Sequence, residues 1–118
     1  MDNHRNFDLE ERTFKFAKKT REFVNKLLKT TVNFEDGKQL VRSTGSVGAN
    51  YIEANEALSK KDFLMKLKIC RKEAKESRFW LNLIEVGDSK DLVCEQKNLI
   101  QESQEIMNIF GAIIRKIE

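Results

Sequence analysis

Two pairs of glutamates are the first residues in this chain whose spacing suggests chemistry. Glu53 with Glu56, and Glu73 with Glu76, each stand three residues apart, which puts both carboxylates of a pair on one face of a helix. Inward glutamates ligate metal in di-iron helical bundles, but those sites also need Glu-x-x-His on two further helices. The chain has one histidine, His4, ahead of the expected helices. The plainer reading is ion pairing between helices, with Arg42, Arg71 or Arg78 as partners. Asn50 and Glu53 facing Arg71 or Arg78 on the next helix would satisfy polar groups on an inner face and hold the register of the two helices. Cys70 and Cys94 make no metal-type spacing, and neither has a histidine in its own helix. They read as reduced packing residues. No nucleophile stands beside a base, so the expectation is a protein without catalytic activity and without a cofactor or metal.

The basic residues are more suggestive. Lys15, Lys18, Lys19, Lys26 and Lys29 gather on the first expected helix, and Lys68, Arg71, Lys72, Lys75 and Arg78 form a band on the third at spacings of three and four. Such a band suits phosphate tracking with a strong salt dependence. The competing reading is a solvated face whose lysine stems cover apolar surface.

Four amphipathic helices would have to position these side chains. The first is expected over 8–30, with Thr13, Phe16, Ala17, Thr20, Phe23, Val24, Leu27 and Leu28 recurring at the helical period. Asp8, Glu10 and Glu11 would complement the dipole at its start, and Lys26 and Lys29 at its end. The second is expected over 34–58, capped by Asn33. It carries one stripe of Leu40, Thr44, Val47, Tyr51, Ala54 and Leu58, and another of Val41, Gly45, Gly48 and Ile52. Glycine inside a helix costs about 1 kcal/mol relative to alanine, so Gly45 and Gly48 imply close approach by a neighbouring helix. A leucine at either position is expected to overpack that contact. The third, over 60–86, opens on Ser59 and Asp62, a variant capping box. Its seam is Phe63, Leu67, Cys70, Ala74, Ser77, Leu81 and Ile84, narrow at Ala74 and Ser77, and Gly87 is a natural left-handed stop. The fourth, over 89–117, is capped by Asp88 or Ser89, and Gln96 and Ser103 interrupt its seam, which should loosen burial midway. Short links between four long helices predict one all-α domain, an up-down-up-down antiparallel four-helix bundle.

The 118 residues suit one domain, with no proline, 35% charged and 40% hydrophobic residues, and a net charge of +3. Charge alternates along the chain, +3 over 1–32, −2 over 33–58, +4 over 59–87 and −2 over 88–118, so successive segments attract when packed antiparallel. No apolar run approaches the roughly 20 residues needed to span a membrane. The opening MDNHRNFDLEER does not read as a signal peptide, so a cytoplasmic protein is expected.

The run RSTGSVGANYIEANEALSKKDFLMKLKICRKEAKESRFWLNLI carries a specific pattern. Its marks are Arg42-Ser43, Ser46-Val47, Ala49-Asn50, Glu53-Ala54, Ser59, Asp62-Phe63, Lys72-Glu73-Ala74, Glu76 and Trp80-Leu81, preceded by Arg12-Thr13 and Phe16-Ala17. Over residues 8–86 the chain resembles the bacterial four-helix-bundle family of 23S rRNA-intervening-sequence proteins. The proline frequent in that family's first link is replaced by TTVNF. The resemblance implies a bundle that assembles as a homopentamer. Related accessory proteins of diversity-generating retroelements are basic pentamers that bind a reverse transcriptase and nucleic acid. The implied function is a non-enzymatic oligomeric scaffold that binds RNA, DNA or a nucleic-acid-processing protein such as a reverse transcriptase. The alternative is a purely protein-binding or structural oligomer.

Overall fold

Four helices form where the apolar residues recur at helical spacing: α1 (Asn3–Asn25), α2 (Thr31–Asn55), α3 (Lys60–Leu83) and α4 (Lys90–Ile117). The computed structural model describes residues 3–118, with side chains from Asp8 onward. Each helix packs against the next, α4 returns to α1, and α1 and α3 stand diagonally opposite. This is the antiparallel up-down-up-down bundle, 47 Å long. Phe16, Phe23, Leu40, Leu67, Leu81, Ile106 and Phe110 are wholly buried along its axis.

The helix ends depart from the periodicity for local reasons. α1 stops at Asn25 rather than Thr30, because the Thr30 hydroxyl accepts from the Asn33 amide and starts α2 there. Asn33 is therefore not the cap. It is buried and its amide nitrogen donates to the Leu28 and Glu85 carbonyls at 3.1 and 3.0 Å, tying the first link to the third. Because α1 begins at Asn3, the acids at 8, 10 and 11 lie beyond its first turn and no basic residue occupies its last. His4 falls within α1 rather than ahead of it, and its side chain lies outside the described residues. α2 ends at Asn55, and Leu58, expected on the inner stripe, is fully exposed in the link. Ser59 and Ser89 cap α3 and α4. α3 ends at Leu83, and Gly87, at φ 65°, turns the link beyond it. Gln96 of α4 donates to the Leu81 and Ile84 carbonyls at 2.8 and 2.9 Å, so this supposed seam breaker satisfies the end of α3. Ser103 is wholly buried, its hydroxyl donating to the Ile100 carbonyl at 2.7 Å, and α4 is not loosened there.

The most extensive helix contact is between α2 and α3. Ser43 and Val47 meet Cys70, Ala74 and Ser77, all wholly buried. Ser77 Oγ lies 2.9 Å from Ser43 Oγ, and the Cys70 thiol donates to the Val47 carbonyl at 3.5 Å. Burial pushes that thiol up to about 12. At the rim Arg42 donates to Glu73 at 3.3 Å and also pairs with Glu76. Gly45 and Gly48 lie elsewhere, half-buried on the side of α2 that faces α1. A Cβ on Gly48 would stand 3.3 Å from Thr13 Oγ1 and 3.5 Å from its Cβ, whereas one on Gly45 would meet the Arg21 guanidinium at 3.4 Å. The two glycines are not equivalent, because Thr13 is pinned by its hydrogen bond to the Leu9 carbonyl at 2.9 Å, while Arg21 is exposed and free to move.

Gly45→Ala should therefore raise stability by about 0.5–1 kcal/mol, the helix-propensity gain, whereas Gly48→Leu should lower it by roughly 1–3 kcal/mol through overpacking. Urea unfolding of both variants checks the contrast, and equal effects would contradict it. Arg42→Ala strands the nearly buried Glu73 carboxylate. It should cost roughly 1–3 kcal/mol, and Arg42→Ala in a Glu73→Gln background should cost measurably less, as a double-mutant cycle would read.

Candidate nucleic-acid interface

The outward face of α3 is set by its seam. With Leu67, Cys70, Ala74, Ser77 and Leu81 buried, the helical period turns Lys61, Met65, Lys68, Lys72, Lys75, Phe79 and Leu83 away from the core. Met65, Phe79 and Leu83 are 53, 58 and 49% exposed, so the cations Lys68, Lys72 and Lys75 lie between apolar groups on one face. Leu64, Met65 and Ile69 floor a shallow cavity of about 420 Å³ edged by Lys61, Lys68 and Lys72.

The candidate cations do not form one set. On α3, Arg78 is half-buried and pairs with Gln104 of α4. Arg71 is exposed on the α4 side, where a Cβ on Gly111 would stand 3.8 Å from its Cδ. Lys68 pairs with Glu118 at 3.0 Å. Among the described residues no ion pair engages Arg71, Lys72 or Lys75. Glu76, one turn from Lys72 and placed to neutralise it, is drawn to Arg42 instead. On α1 the band divides. Lys15 pairs with Glu11 at 3.0 Å and Lys26 with Glu95 at 2.9 Å. Lys18 borders the groove against α2, Lys19 borders the cleft against α4, and Lys29 lies past the helix end. Since α1 and α3 are diagonal, their basic residues occupy opposite corners of the molecule and do not merge within one chain.

The polar residues of α2 find other partners than the sequence suggested. Asn50 donates to the Ser46 carbonyl and hydroxyl at 2.9 and 3.0 Å, one turn back in its own helix. Glu53 takes Lys66 at 2.7 Å, not Arg71 or Arg78, and this hydrogen bond raises the Lys66 ammonium above its ordinary value. Of the expected α2–α3 pairings the structure contains Arg42 with Glu73 and Glu76. Among the described residues no three His, Cys, Asp or Glu side chains are grouped to hold a metal ion. Nor is any helix long and apolar enough to cross a membrane.

One cluster went unread in the sequence. Arg12 grips Glu102 through two hydrogen bonds of 2.8 Å and reaches Glu105 at 2.7 Å, joining α1 to α4 where their contact is sparsest. The Glu102 hydrogen bonds hold the guanidinium above its usual range. Gln101 first, then Arg12, lowers the Glu105 carboxyl. Clefts of about 560 and 350 Å³ flank the clamp. The glutamates' spacing of three was the available signal, but nothing local to Arg12 pointed across the bundle. On the opposite side of α1 runs a groove of about 430 Å³ containing Gly45, Gly48, Ala49 and Ala17, walled by Phe14 and Ile52, which are 66 and 55% exposed. A second cavity of about 780 Å³ lies nearer the first link, lined by Val24, Leu28, Phe34 and Val41.

The sequence and the fold place the chain among known proteins. The family model described as 23S rRNA-intervening sequence protein matches residues 5–112, reaching well into α4, where the sequence had offered only amphipathicity. A crystal structure of a protein with unknown function from the S23 ribosomal protein family of Bacteroides thetaiotaomicron VPI-5482 superposes with a TM-score of 0.80 at 29% identity, over 93% of this chain and 97% of that one. No curated protein matches the chain. With its bundle, its α2–α3 signature and a match over almost its full length, the chain belongs to the 23S rRNA-intervening sequence protein family.

Proposed function

We propose that this protein is a non-enzymatic, self-associating helical scaffold that binds nucleic acid, or a protein that processes it, through the basic face of α3. The observation that carries this reading is the exposure of Arg71, Lys72 and Lys75 without an acidic partner among the described residues. Charges left unpaired in the fold keep their full attraction for phosphate, and each contact releases counterions. A single strip of this kind is weak. Repeated around a ring of copies it adds up, because linked contacts raise effective concentration. The pentamer, and a reverse transcriptase as protein partner, are carried from the family resemblance and belong to this proposal, as does a cytoplasmic setting.

The exposed Phe14, Leu28, Phe34 and Ile52 along the α1–α2 side favour a second reading, in which a purely protein-binding or structural oligomer uses charge for solubility and assembly alone. Both readings expect light scattering to find a multiple of the 13.8 kDa chain. They separate on binding. In a low-salt titration with fluorescent RNA and DNA, the first expects Lys72→Glu with Lys75→Glu to weaken binding and flatten its salt dependence by about one unit per lost phosphate contact. Absent binding, or binding indifferent to these changes, would remove the first reading. A protein partner captured after nuclease treatment would then support the second.

A further inference from the structure

We infer that the outward face of α3 takes single-stranded nucleic acid laid along the helix, with Phe79 as a stacking platform for a base and Lys68, Lys72 and Lys75 on the phosphates. The inference rests on the reading of this face as nucleic-acid-binding and specifies the form of the polymer.

Lys68, Lys72, Lys75 and Phe79 advance by four, three and four residues. At 100° and 1.5 Å per residue they stay close to one line, spaced by about 6, 4.5 and 6 Å. That step is comparable to the one between successive phosphates of an extended strand. The line ends on a phenyl ring that is 58% exposed and held in place. Trp80 meets Phe79 edge-on, at 5.0 Å between centroids and 78° between planes. The Trp80 ring is itself packed against the core, although its buried indole nitrogen finds no hydrogen-bond partner among the described residues. A fixed, exposed aromatic face beside cations is the arrangement on which unstacked bases settle, whatever their sequence. A duplex gains nothing from it, because its bases are already stacked on each other and only its phosphates face outward. Met65 and Leu83, exposed on the same line, extend the apolar surface to either side. The charge is positive around Lys72 and Lys75, because Arg42 holds Glu76 away from Lys72, and the exposed pair of Lys68 with Glu118 is weak enough to be exchanged for a phosphate.

The test uses the full chain and measures anisotropy of labelled oligouridine and oligothymidine strands and of a duplex of equal length, at low salt. Phe79→Ala should weaken single-strand binding roughly tenfold and leave duplex binding unchanged, while Phe79→Trp retains both. Lys72→Glu with Lys75→Glu should weaken both polymers. Single strands should also change the emission of Trp80, the sole tryptophan, in the wild-type chain. Phe79 is exposed, so circular dichroism should confirm an intact helical fold in the variants. If Phe79→Ala binds single strands as the wild type does while the lysine variant loses affinity, this inference is overturned and the broader proposal stands. An equal loss of duplex binding in Phe79→Ala overturns it too. If the lysine variant matches the wild type, or the wild type binds neither polymer, the broader proposal fails and takes this one with it. Anionic vesicles are the remaining arm. Binding to vesicles that depends on Phe79, without binding to oligonucleotides, would assign the face to a membrane surface instead.

Discussion

The grip of Arg42 on Glu73 and Glu76 is the contact on which the rest of the molecule turns. It closes the rim of the α2–α3 seam, beside the small residues Ser43, Ala74 and Ser77. Small side chains let the two helices approach, but they leave little to set the register of one against the other. The arginine adds to the Ser43–Ser77 and Cys70–Val47 hydrogen bonds in holding that register, and the nearly buried Glu73 makes it costly to lose. The same contact has an electrostatic effect on the opposite side of α3. Two carboxylates that stand within a turn of Lys72 and Lys75 are turned toward α2, so among the described residues no acid pairs with these lysines. One interaction thus sets both the packing of the tightest seam and the charge of the most basic face.

The other seams are built differently. α1 is joined to α4 by charge, through Arg12 with Glu102 and Glu105 and Lys26 with Glu95, across clefts that packing leaves open. Against α2 it rests Thr13 on Gly48 but keeps Phe14 outside. The molecule therefore has a close-packed half, α2 with α3 and α4, and a helix held more loosely at its side. The exposed apolar groups on the α1–α2 side and the cations of α3 lie on different faces.

Much of this was legible in the residues. The seam of α3 was readable because Leu67, Cys70, Ala74, Ser77 and Leu81 recur at strict helical spacing, and Ser59 was readable as a cap because its hydroxyl needs only the amide three residues on. Glu73 and Glu76 were readable as partners for an arginine, since carboxylates on an inner face require a cation, but the choice among Arg42, Arg71 and Arg78 was made only by the packed helices. The first link was not readable. Thr30 and Asn33 are both good caps by type, and the choice between them turned on Glu85, 52 residues away, which offers Asn33 a better use for its amide. Gln96 and Ser103 looked like flaws in α4 for the same reason: whether a polar residue interrupts a seam or completes it depends on which carbonyl lies opposite.

The chain's own pattern determined four helices, their order, and most of the buried stripes, with Leu28, Ile52 and Leu58 as exceptions, because helical periodicity and capping are local and repeat often enough to outweigh single exceptions. It also determined that the ten candidate cations would lie on α1 and α3 or beside them. Which of those cations remain unpaired was decided only by the tertiary structure. Pairing depends on distances of a few ångströms between side chains on different helices, and small rotations of a helix exchange one partner for another. The same holds for the two glycines of α2. Their lack of side chains was plain in the sequence, but it took the packed bundle to set one against the pinned Thr13 and the other beneath the exposed Arg21.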